Sequence, residues 1–457
     1  MRNPARTLSA HIASAGTLYV WQGSPTPAAP YSTWSQAAHD IQTAVNAAQS
    51  GDTVLVTNGL YATGATYPPS SQTLSRVVVN KPLILQSVNG PQETIIRGYK
   101  MPVITNGNAA VRCVFLANNV VLAGFTLSNG ATGTSSTDTI GTYGGGACCM
   151  TTSAVLSNCV FHANSAYAGG AGTLNGTLYD CWLDGNSTTG SGGGTSGGIL
   201  NNCVLTNNSA YGSGGGAINS TLYNCVLNGN SARDGGGAYR SSLMSCLAIA
   251  NFASLYGGGT ESAVLYNCTL TGNSAGVYGG GDSGSTLRNC IVVGNTALWD
   301  FNYSGGSLDH CCTTPQPPSG SGNISADAGF VDASAGNFRL EVNSPCIDVG
   351  STVVLNANDL DGNPRILNGT VDLGAFEFRT SDVPLVISAP RNILGGVALE
   401  WQSVRGRTYS VERCTTLGMY PSFVSVQRNI IGQDGMTSFL DTNSPPAEQV
   451  FYRLRMQ

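Results

Sequence analysis

The pattern of apolar and polar positions in the middle of the chain repeats every 21 or 22 residues. Each unit combines a Gly tract, short apolar stretches and an Asn that follows the last of them. The recurring residues are Leu156, Leu178, Leu200, Leu222, Leu243, Leu265, Leu287 and Leu308; Cys159, Cys181, Cys203, Cys225, Cys246, Cys268, Cys290 and Cys311; and Asn164, Asn186, Asn208, Asn230, Asn251, Asn273 and Asn295. Because helical-hairpin repeats need about 33 residues or more, a unit this short predicts one coil of a parallel β-helix.

The unit at residues 214–234 shows how one coil is built. We predict three short strands in it: Ala217–Ile218 after the Gly tract, a second around Leu222, and a third at 225–227. Equal positions of neighbouring coils stack about 4.8 Å apart. This stacking would pile the Leu and Cys side chains into columns and let the Asn amides hydrogen bond along the axis.

Two segments of the repeat carry a resemblance to known proteins. Residues 215–218 (GGAI) and 161–164 (FHAN) resemble the repeats of polymorphic outer-membrane proteins. The coil as a whole, over roughly residues 76–312, is similar to the right-handed parallel β-helices of the pectate-lyase superfamily. The resemblance implies an all-β, right-handed parallel β-helix of about 22 residues per coil.

The segment before the repeat, residues 1–75, is predicted to cover the open end of the solenoid. Ser32 or Thr33 is a suitable N-cap for a helix that runs to about Ala48, and a strand at Thr53–Val56 would follow. The segment resembles the N-terminal helix and first strand of pectate-lyase-like β-helices, where the helix plugs the end.

Two further segments follow the repeat. Within 313–382, the stretches 344–350, 359–365 and 371–377 resemble the C-terminal motif of "choice-of-anchor Q" β-helix proteins of bacterial surfaces. Within 383–457, alternating apolar positions predict a small β-sandwich. This last segment resembles a fibronectin type III or immunoglobulin-like module, with Trp401 and Tyr452 as core aromatics.

Charge and composition argue against some classes of binding partner. The chain has 20 basic and 25 acidic residues among 457, with a net charge of −5. So few basic residues argue against nucleic acid, and no apolar run reaches the length of a membrane helix. The low charge and the Ser, Thr, Asn and Gly content suggest an extracellular or bacterial cell-surface protein, although residues 1–19 show no clear export signal.

The chain contains 14 cysteines, eight of which share one column of the predicted coil. Side chains stacked in register point the same way, an awkward geometry for a disulfide, so we interpret the column as buried thiols that pack as small apolar groups. The doublets Cys148–Cys149 and Cys311–Cys312 are the better disulfide candidates. With four His and no CxxC pair, a transition-metal site is not indicated.

Charged residues are rare in the repeat, so clusters of them are candidate sites. Four charged residues flank the Gly tract in three successive coils and are predicted to lie near one edge, accompanied by Tyr256 and Tyr278. They are Asp234, Arg240, Glu261 and Asp282. Such acids could act as acid and base of a glycosidase, or hold calcium for an acidic sugar, with Arg233 or Arg240 as proton acceptor or substrate clamp. The alternative is that they are solvating surface charges.

Two other sets of residues are candidates for binding. Strand alternation predicts that Asp180, Trp182 and Asp184 point outward together, so the indole could stack on a sugar ring. The alternative is a covered apolar stripe, because the other coils place mostly aliphatic residues at this position; such a stripe is also a candidate docking surface. Residues 359–363 offer a simple calcium site. Its candidate ligands are Asp359, Asp361 and Asn363.

Two functions therefore remain open. The first is an exported surface β-helix that binds a glycan without catalysis, as an adhesin does, and needs no cofactor. The second is a polysaccharide lyase or glycoside hydrolase for an acidic polysaccharide, with calcium as a possible cofactor. Because the spacing of the repeat varies by only one residue, it favours the first.

Overall fold

The computed structural model describes residues 15–456 except 70, 353–355, 368, 380–386, 404–406, 416–422, 434 and 446–448. Within this part of the chain, four parallel sheets wind into a β-helix, which confirms the predicted solenoid. Along each complete coil the chain passes through sheets that we number 1 to 4. The predicted segment boundary at residue 383 lies outside the described residues.

Sheet 1 follows the Gly tract, and sheet 2 carries the Leu column. The ten strands of sheet 1 are Leu74–Val79, Val111–Leu116, Ala147–Cys149, Thr173–Leu174, Thr195–Ser196, Ala217–Ile218, Ala238–Tyr239, Thr260–Glu261, Asp282–Ser283 and Tyr303–Ser304. The twelve strands of sheet 2 are Thr17–Val20, Thr53–Val56, Ile84–Ser87, Val121–Ala123, Val155–Ser157, Thr177–Tyr179, Ile199–Asn201, Thr221–Tyr223, Ser242–Met244, Val264–Tyr266, Thr286–Arg288 and Ser307–Asp309.

Sheets 3 and 4 complete the coil. The eleven strands of sheet 3 are Gly59–Tyr61, Thr94–Arg97, Thr126–Ser128, Val160–His162, Trp182–Asp184, Val204–Thr206, Val226–Asn228, Leu247–Ile249, Thr269–Thr271, Ile291–Val293 and Cys312–Thr313. The six strands of sheet 4 are Ser165–Ala166, Ser187–Thr188, Ser209–Ala210, Ser231–Asp234, Phe252–Tyr256 and Ser274–Ala275. The three predicted strands of a coil are confirmed. Sheet 4 was not predicted, because most of its strands are two small residues long and carry no apolar run.

The interior of the solenoid is built from the predicted columns. The Leu column and the Cys column are buried in one continuous core. The recurring asparagines form a buried ladder between sheets 3 and 4. In it, Nδ2 of Asn230 donates to Oδ1 of Asn251 and to the carbonyl oxygen of Leu205, each at 2.9 Å. The ladder therefore satisfies buried backbone groups at the bend while it joins one coil to the next.

The prediction for the cysteine doublets was wrong. All fourteen cysteines are buried thiols in this structure. Cys149 faces the interior of the coil, whereas Cys148 packs on the outer side with Val78 and Phe115. Consecutive residues of a strand point to opposite faces, so neither doublet can close a disulfide.

The N-terminal helix is shorter than predicted and has a different cap. It spans Ile41–Ala47, and the backbone N–H of Thr43 donates to the carboxylate of Asp40 at 2.8 Å. The predicted cap Thr33 precedes only a 3-10 turn, Trp34–Gln36. The helix cannot run through this region because Ala38 pairs with the first strand of sheet 2. Ile41, Ala44 and Val45 of the helix are buried in the core of the solenoid, as expected for an end plug.

The first coils depart from the regular repeat. Long connections follow Tyr61, Arg97 and Ser128, where later coils place sheet 4 and the Gly tract. The last of them contains a 3-10 turn, Ile140–Thr142, next to Asp138. The carboxylate of Asp138 accepts hydrogen bonds from Ser71, Gln72 and Gly141 and so ties two of these connections together.

The segment after the last coil covers part of sheet 3. It contains a hairpin, Phe330–Asp332 and Asn337–Leu340, and a 3-10 turn, Ala333–Ala335. Phe338, Ala375 and Phe376 pack on Leu247. The backbone N–H of Ala375 also donates to the hydroxyl of Thr269 at 3.0 Å. We call the described residues 330–378 the cover segment.

Two antiparallel sheets follow, which confirms the predicted sandwich-like segment. Their strands are Arg391–Ile393, Gly396–Ser403 and Gly435–Asp441 in one sheet, and Thr408–Cys414, Val424–Ile431 and Phe451–Met456 in the other. Trp401 is fully buried and packs against Tyr409, while Tyr452 is half-buried at the rim of the same cluster. Across the described residues, no helix is both long enough and apolar enough to cross a membrane.

Candidate functional site

A row of exposed aromatic side chains runs along the corner between sheets 4 and 1. Tyr256, Tyr278 and Trp299 pair in register in three consecutive coils, and the buried Asp234 holds the same position in the coil before them; we call this row the aromatic edge. The rings of Tyr256 and Tyr278 stack with centroids 6.1 Å apart. Their exposures are 38% and 39%, and that of Trp299 is 57%. The edge therefore offers flat apolar surfaces at successive rungs of the solenoid.

The Gly tract lets the chain turn sharply beside this edge. Gly257 has φ +62°, and a Cβ at this position would lie 2.2 Å from the carbonyl oxygen of Thr260. It would also lie 2.8 Å from Cβ of Glu261. The absence of a side chain at Gly257 therefore allows Glu261 to lie against the bend.

Glu261 projects outward from sheet 1 and is half-buried. Its strand neighbours in register are Tyr239 and Ser283. The Oε2 atom is buried and has no hydrogen-bond partner among the described residues. Burial, and next to it the charge of Asp234, raises the pKa of Glu261 to about 7. A carboxyl group with this pKa can give or take a proton near neutral pH.

Asp234 and two arginines complete the cluster around Glu261. Nε of Arg233 donates to Oδ2 of Asp234 at 2.8 Å, and Oδ1 of Asp234 is buried without a described partner. Arg240 stacks over the ring of Tyr239 at 5.1 Å. Both arginines oppose the rise in the pKa of Glu261, so their charges act on this carboxyl group. The predicted residues Asp234, Arg240 and Glu261 are thus brought together.

Asp282, in contrast, does not lie on this edge as predicted. It pairs in register with Thr260, and both side chains face the interior. Oδ1 of Asp282 accepts from the hydroxyl of Thr260 at 2.7 Å, and Oδ2 accepts from the backbone N–H of Ser285 at 3.2 Å. Burial raises the pKa of Asp282 to about 6. Because it is enclosed, it cannot contact a substrate on the surface.

We expect Asp282→Thr to raise the stability of the protein at neutral pH. The pKa of Asp282 rises from 3.8 to about 6 on folding, so between these values the folded state binds more protons than the unfolded state. Stability therefore falls as pH rises through this window, by about 3 kcal/mol in total. In urea unfolding, the free energy of unfolding of the variant should exceed that of the parent protein by more at pH 7.5 than at pH 4. The outward-facing Ser283→Thr is the control, and an equal gain at both pH values would contradict the prediction.

The second predicted set lies on another face. Trp182 is exposed on the outer side of sheet 3, and Asp184 beside it contacts His162. Asp180 occupies the bend between sheets 2 and 3 with φ +53° and accepts a hydrogen bond from Asn202. The predicted covered stripe exists only from Val226 onward, where the cover segment packs. Trp182 lies outside it.

Two of the three predicted calcium ligands, Asp359 and Asp361, are engaged by other protein groups. Oδ1 of Asp359 accepts from the backbone N–H of Asn363 at 2.7 Å, and Oδ2 accepts from that of Glu377 at 3.0 Å. Asp361 forms an ion pair with Arg339. Among the residues that the structure describes, no group of three or more His, Cys, Asp or Glu side chains is placed to hold a metal ion.

Trp299 was not predicted as a site residue, although the sequence contained a signal. Each residue of the aromatic edge follows a ladder asparagine by four or five positions, as Tyr278 follows Asn273 and Trp299 follows Asn295. The signal was missed because the Gly tract is lost after Trp299.

Comparisons with known proteins support the fold and leave the family open. No family model and no curated protein sequence matches the chain. Among solved structures, the pectate lyase Pel9A is 14% identical with a TM-score of 0.51, covering 81% of this chain and 98% of its own. A rhamnogalacturonan lyase is 12% identical, with a TM-score of 0.37 and coverage of 78% and 96%. The A-module of a mannuronan C-5 epimerase from Azotobacter vinelandii is 16% identical, with a TM-score of 0.37 and coverage of 62% and 84%. The chain thus has the parallel β-helix fold that is also found in pectate lyase.

Proposed function

We propose that the protein binds a polysaccharide chain along the aromatic edge and cleaves it at Glu261. The observation that carries the proposal is the position of Glu261: a half-buried carboxyl group with a pKa of about 7 lies beside a second carboxylate and two arginines, on a row of exposed aromatic rings. Perturbed titratable groups of this kind cluster at functional sites. Aromatic rings provide the apolar surface on which sugar rings stack.

The cluster supports two kinds of cleavage. In hydrolysis, protonated Glu261 would donate its proton to the glycosidic oxygen as that bond breaks and water adds to the sugar carbon, and the charge of the buried Asp234 would stabilise the positive charge of the transition state. In elimination from an acidic sugar, ionised Glu261 would take the proton next to the sugar carboxylate, and Arg233 or Arg240 would pair with that carboxylate. The adjacent C–O bond would break to leave a C=C bond, and water would protonate the departing oxygen. Pel9A, which shares the fold, is a pectate lyase, so this fold is compatible with an acidic polysaccharide as substrate.

The second candidate is glycan binding without cleavage, at a bacterial surface or outside the cell. The regular coils from Cys159 to Cys311 favour it, because the long connections that would wall a cleft are found only in the first coils. Under this hypothesis, Glu261 and its neighbours orient a bound glycan and no bond is broken.

Product release from a panel of neutral and acidic polysaccharides tests the proposal. Reducing ends and unsaturated-sugar absorbance are read together, and binding is measured in parallel. We expect Glu261→Gln to lose cleavage by about 10²- to 10⁴-fold while it still binds, because general acid–base catalysis contributes that much. The control is Glu93→Gln, which changes the same residue type in an early coil. If the parent protein binds a polysaccharide but cleaves none, the result supports glycan binding without cleavage. If it neither binds nor cleaves any polysaccharide, the result contradicts both proposed functions.

The pH dependence of cleavage separates the two routes. If Glu261 acts as an acid, kcat/KM should fall as pH rises above about 7, because the protonated form is lost. If Glu261 acts as a base, kcat/KM should fall as pH drops below about 7. A fall in kcat/KM above pH 7 must accompany saturated products, and a fall below pH 7 must accompany unsaturated products. The opposite pairing would exclude Glu261 as the proton-transfer group.

A further inference from the structure

We propose that Trp182 and the side chains around it form a second sugar-binding site, specific for a neutral glycan, on the outer face of sheet 3. Nothing in the cleavage proposal uses this site. Along the coil, the residues at Glu261 belong to sheet 1, which is separated from sheet 3 by sheet 2 on one side and sheet 4 on the other. A ligand at the aromatic edge therefore does not need to contact Trp182.

The first observation is an indole that the fold leaves open. Trp182 pairs in register with Val160 and Val204, whose coils place a smaller side chain at the same outward position. The indole is 51% exposed. A regular strand therefore presents one face of a large aromatic ring to solvent, where a sugar ring can stack on it.

The second observation is a hydrogen-bond chain that holds the ring. Nε1 of Trp182 donates to the hydroxyl of Thr206 at 2.8 Å, and that hydroxyl donates to Oδ1 of Asp184 at 2.9 Å. Nδ2 of Asn207 also donates to Oδ1 of Asp184, at 3.2 Å, and Nδ1 of His162 lies 3.0 Å from Oδ2. The polar atom of the indole is thereby satisfied within the protein, and its orientation is set before any ligand arrives. Such preorganisation lowers the entropic cost of binding.

These polar groups match the chemistry of a sugar. A pyranose ring presents an apolar face of C–H groups and a rim of hydroxyls. The indole would cover the face, while the carboxylate of Asp184 and the rings and amides beside it would exchange hydrogen bonds with the rim.

The cover segment marks one end of the proposed site around Trp182. From Val226 onward the outward column is packed beneath the cover segment. The backbone oxygen of Asp359 accepts from Nδ2 of Asn224 at 2.9 Å, which brings the cover segment to the coil that follows Val204. Trp182 therefore lies two coils before this boundary, on a part of sheet 3 that the cover segment does not cover.

The charge around Trp182 favours a neutral glycan. Asp180 and Asp184 flank Trp182, and the strands on either side of it, 160–162 and 204–206, contain no Lys or Arg. An acidic polysaccharide would meet like charge here, which costs binding energy. Arg97, the arginine in the outward column of Asp184, lies three coils before it, so the two sites should differ in ligand charge.

Electrophoresis in native gels that contain a dissolved polysaccharide tests this site. The neutral probes are xylan, β-glucan and galactan, and the acidic probes are polygalacturonate and alginate. We expect at least one neutral probe to retard the protein, with retardation little changed by added salt. Trp182→Ala should weaken this binding about tenfold, the loss of one stacked ring, and Trp182→Phe should weaken it less.

Two controls keep the result specific. Trp21→Ala removes another exposed tryptophan, 39% exposed, and should leave the retardation unchanged. Glu93→Gln, in an early coil outside both proposed sites, should also leave it unchanged. Equal retardation of Trp182→Ala and Trp21→Ala, retardation by the acidic probes alone, or no retardation by any neutral probe would each overturn the proposal.

Discussion

Asn230→Ala is expected to destabilise the β-helix by about 4 kcal/mol or more, one of the largest effects of any single substitution in the coil. The side chain is fully buried and makes hydrogen bonds in both directions along the ladder. It donates to Leu205 and Asn251, and its Oδ1 accepts from the backbone N–H and Nδ2 of Asn208 at 3.0 and 2.9 Å. Truncation leaves several buried polar groups unpaired, each costing about 1–3 kcal/mol.

Asn228→Ala is the matched control for this experiment. Asn228 lies in the same coil, two residues away, but at an exposed position at the end of its strand. Its truncation should change stability by about 0.5 kcal/mol or less. Thermal or urea unfolding followed by far-UV circular dichroism gives both values. Similar losses for the two variants would show that the ladder does not stabilise the stack.

Arg365→Met is expected to release the cover segment from sheet 3 and, above about pH 8, to cost about 3–5 kcal/mol, because it leaves the ionised carboxylate of Glu377 buried without its partner. Arg365 is buried and donates to the carbonyl oxygens of Gly374 and Asn267 at 2.8 and 3.2 Å. It also lies 3.7 Å from the carboxylate of Glu377, whose pKa is raised to about 8, chiefly by burial. Without the guanidinium, ionised Glu377 would lose its nearest cation.

The pH dependence and a second substitution identify the cause. The loss should increase as pH rises through about 8, where the parent protein begins to ionise Glu377. The double variant Arg365→Met, Glu377→Gln should recover much of the stability, since the carboxyl group nearest to the missing guanidinium can no longer ionise. Hydrogen exchange of residues 371–378 reports the release directly. Unchanged protection in Arg365→Met would contradict the role of the ion pair.

The architecture could be predicted because repetition constrains it strongly. Leu222 and Leu243 are separated by the same number of residues as Asn230 and Asn251. Both pairs can stack at once only if each coil repeats the path of the coil before it. Local signals were less reliable where tertiary pairing competed with them. Thr33 was a reasonable helix cap in sequence, yet pairing of the following residues with strand Thr17–Val20 moved the start of the helix to Ile41.

The candidate site could be predicted only in part. The sequence placed Asp234, Glu261 and Asp282 at similar offsets from the Gly tract, but a shift of one residue along a strand turns a side chain to the other face. Asp282 therefore lies inside the coil and Glu261 outside. The pKa of Glu261 was equally beyond the sequence, because it depends on burial and on charges from a neighbouring coil.

The sequence by itself determined that this protein is a parallel β-helix with Leu, Cys and Asn columns, because the period of the repeat dictates which residues stack. It also identified the residue types from which a sugar site can be made. Only the tertiary structure decided which of them meet. The inward or outward direction of Asp282 and Glu261, and the end of the cover segment near Trp182, depend on strand register and on contacts between residues more than 100 positions apart in the chain.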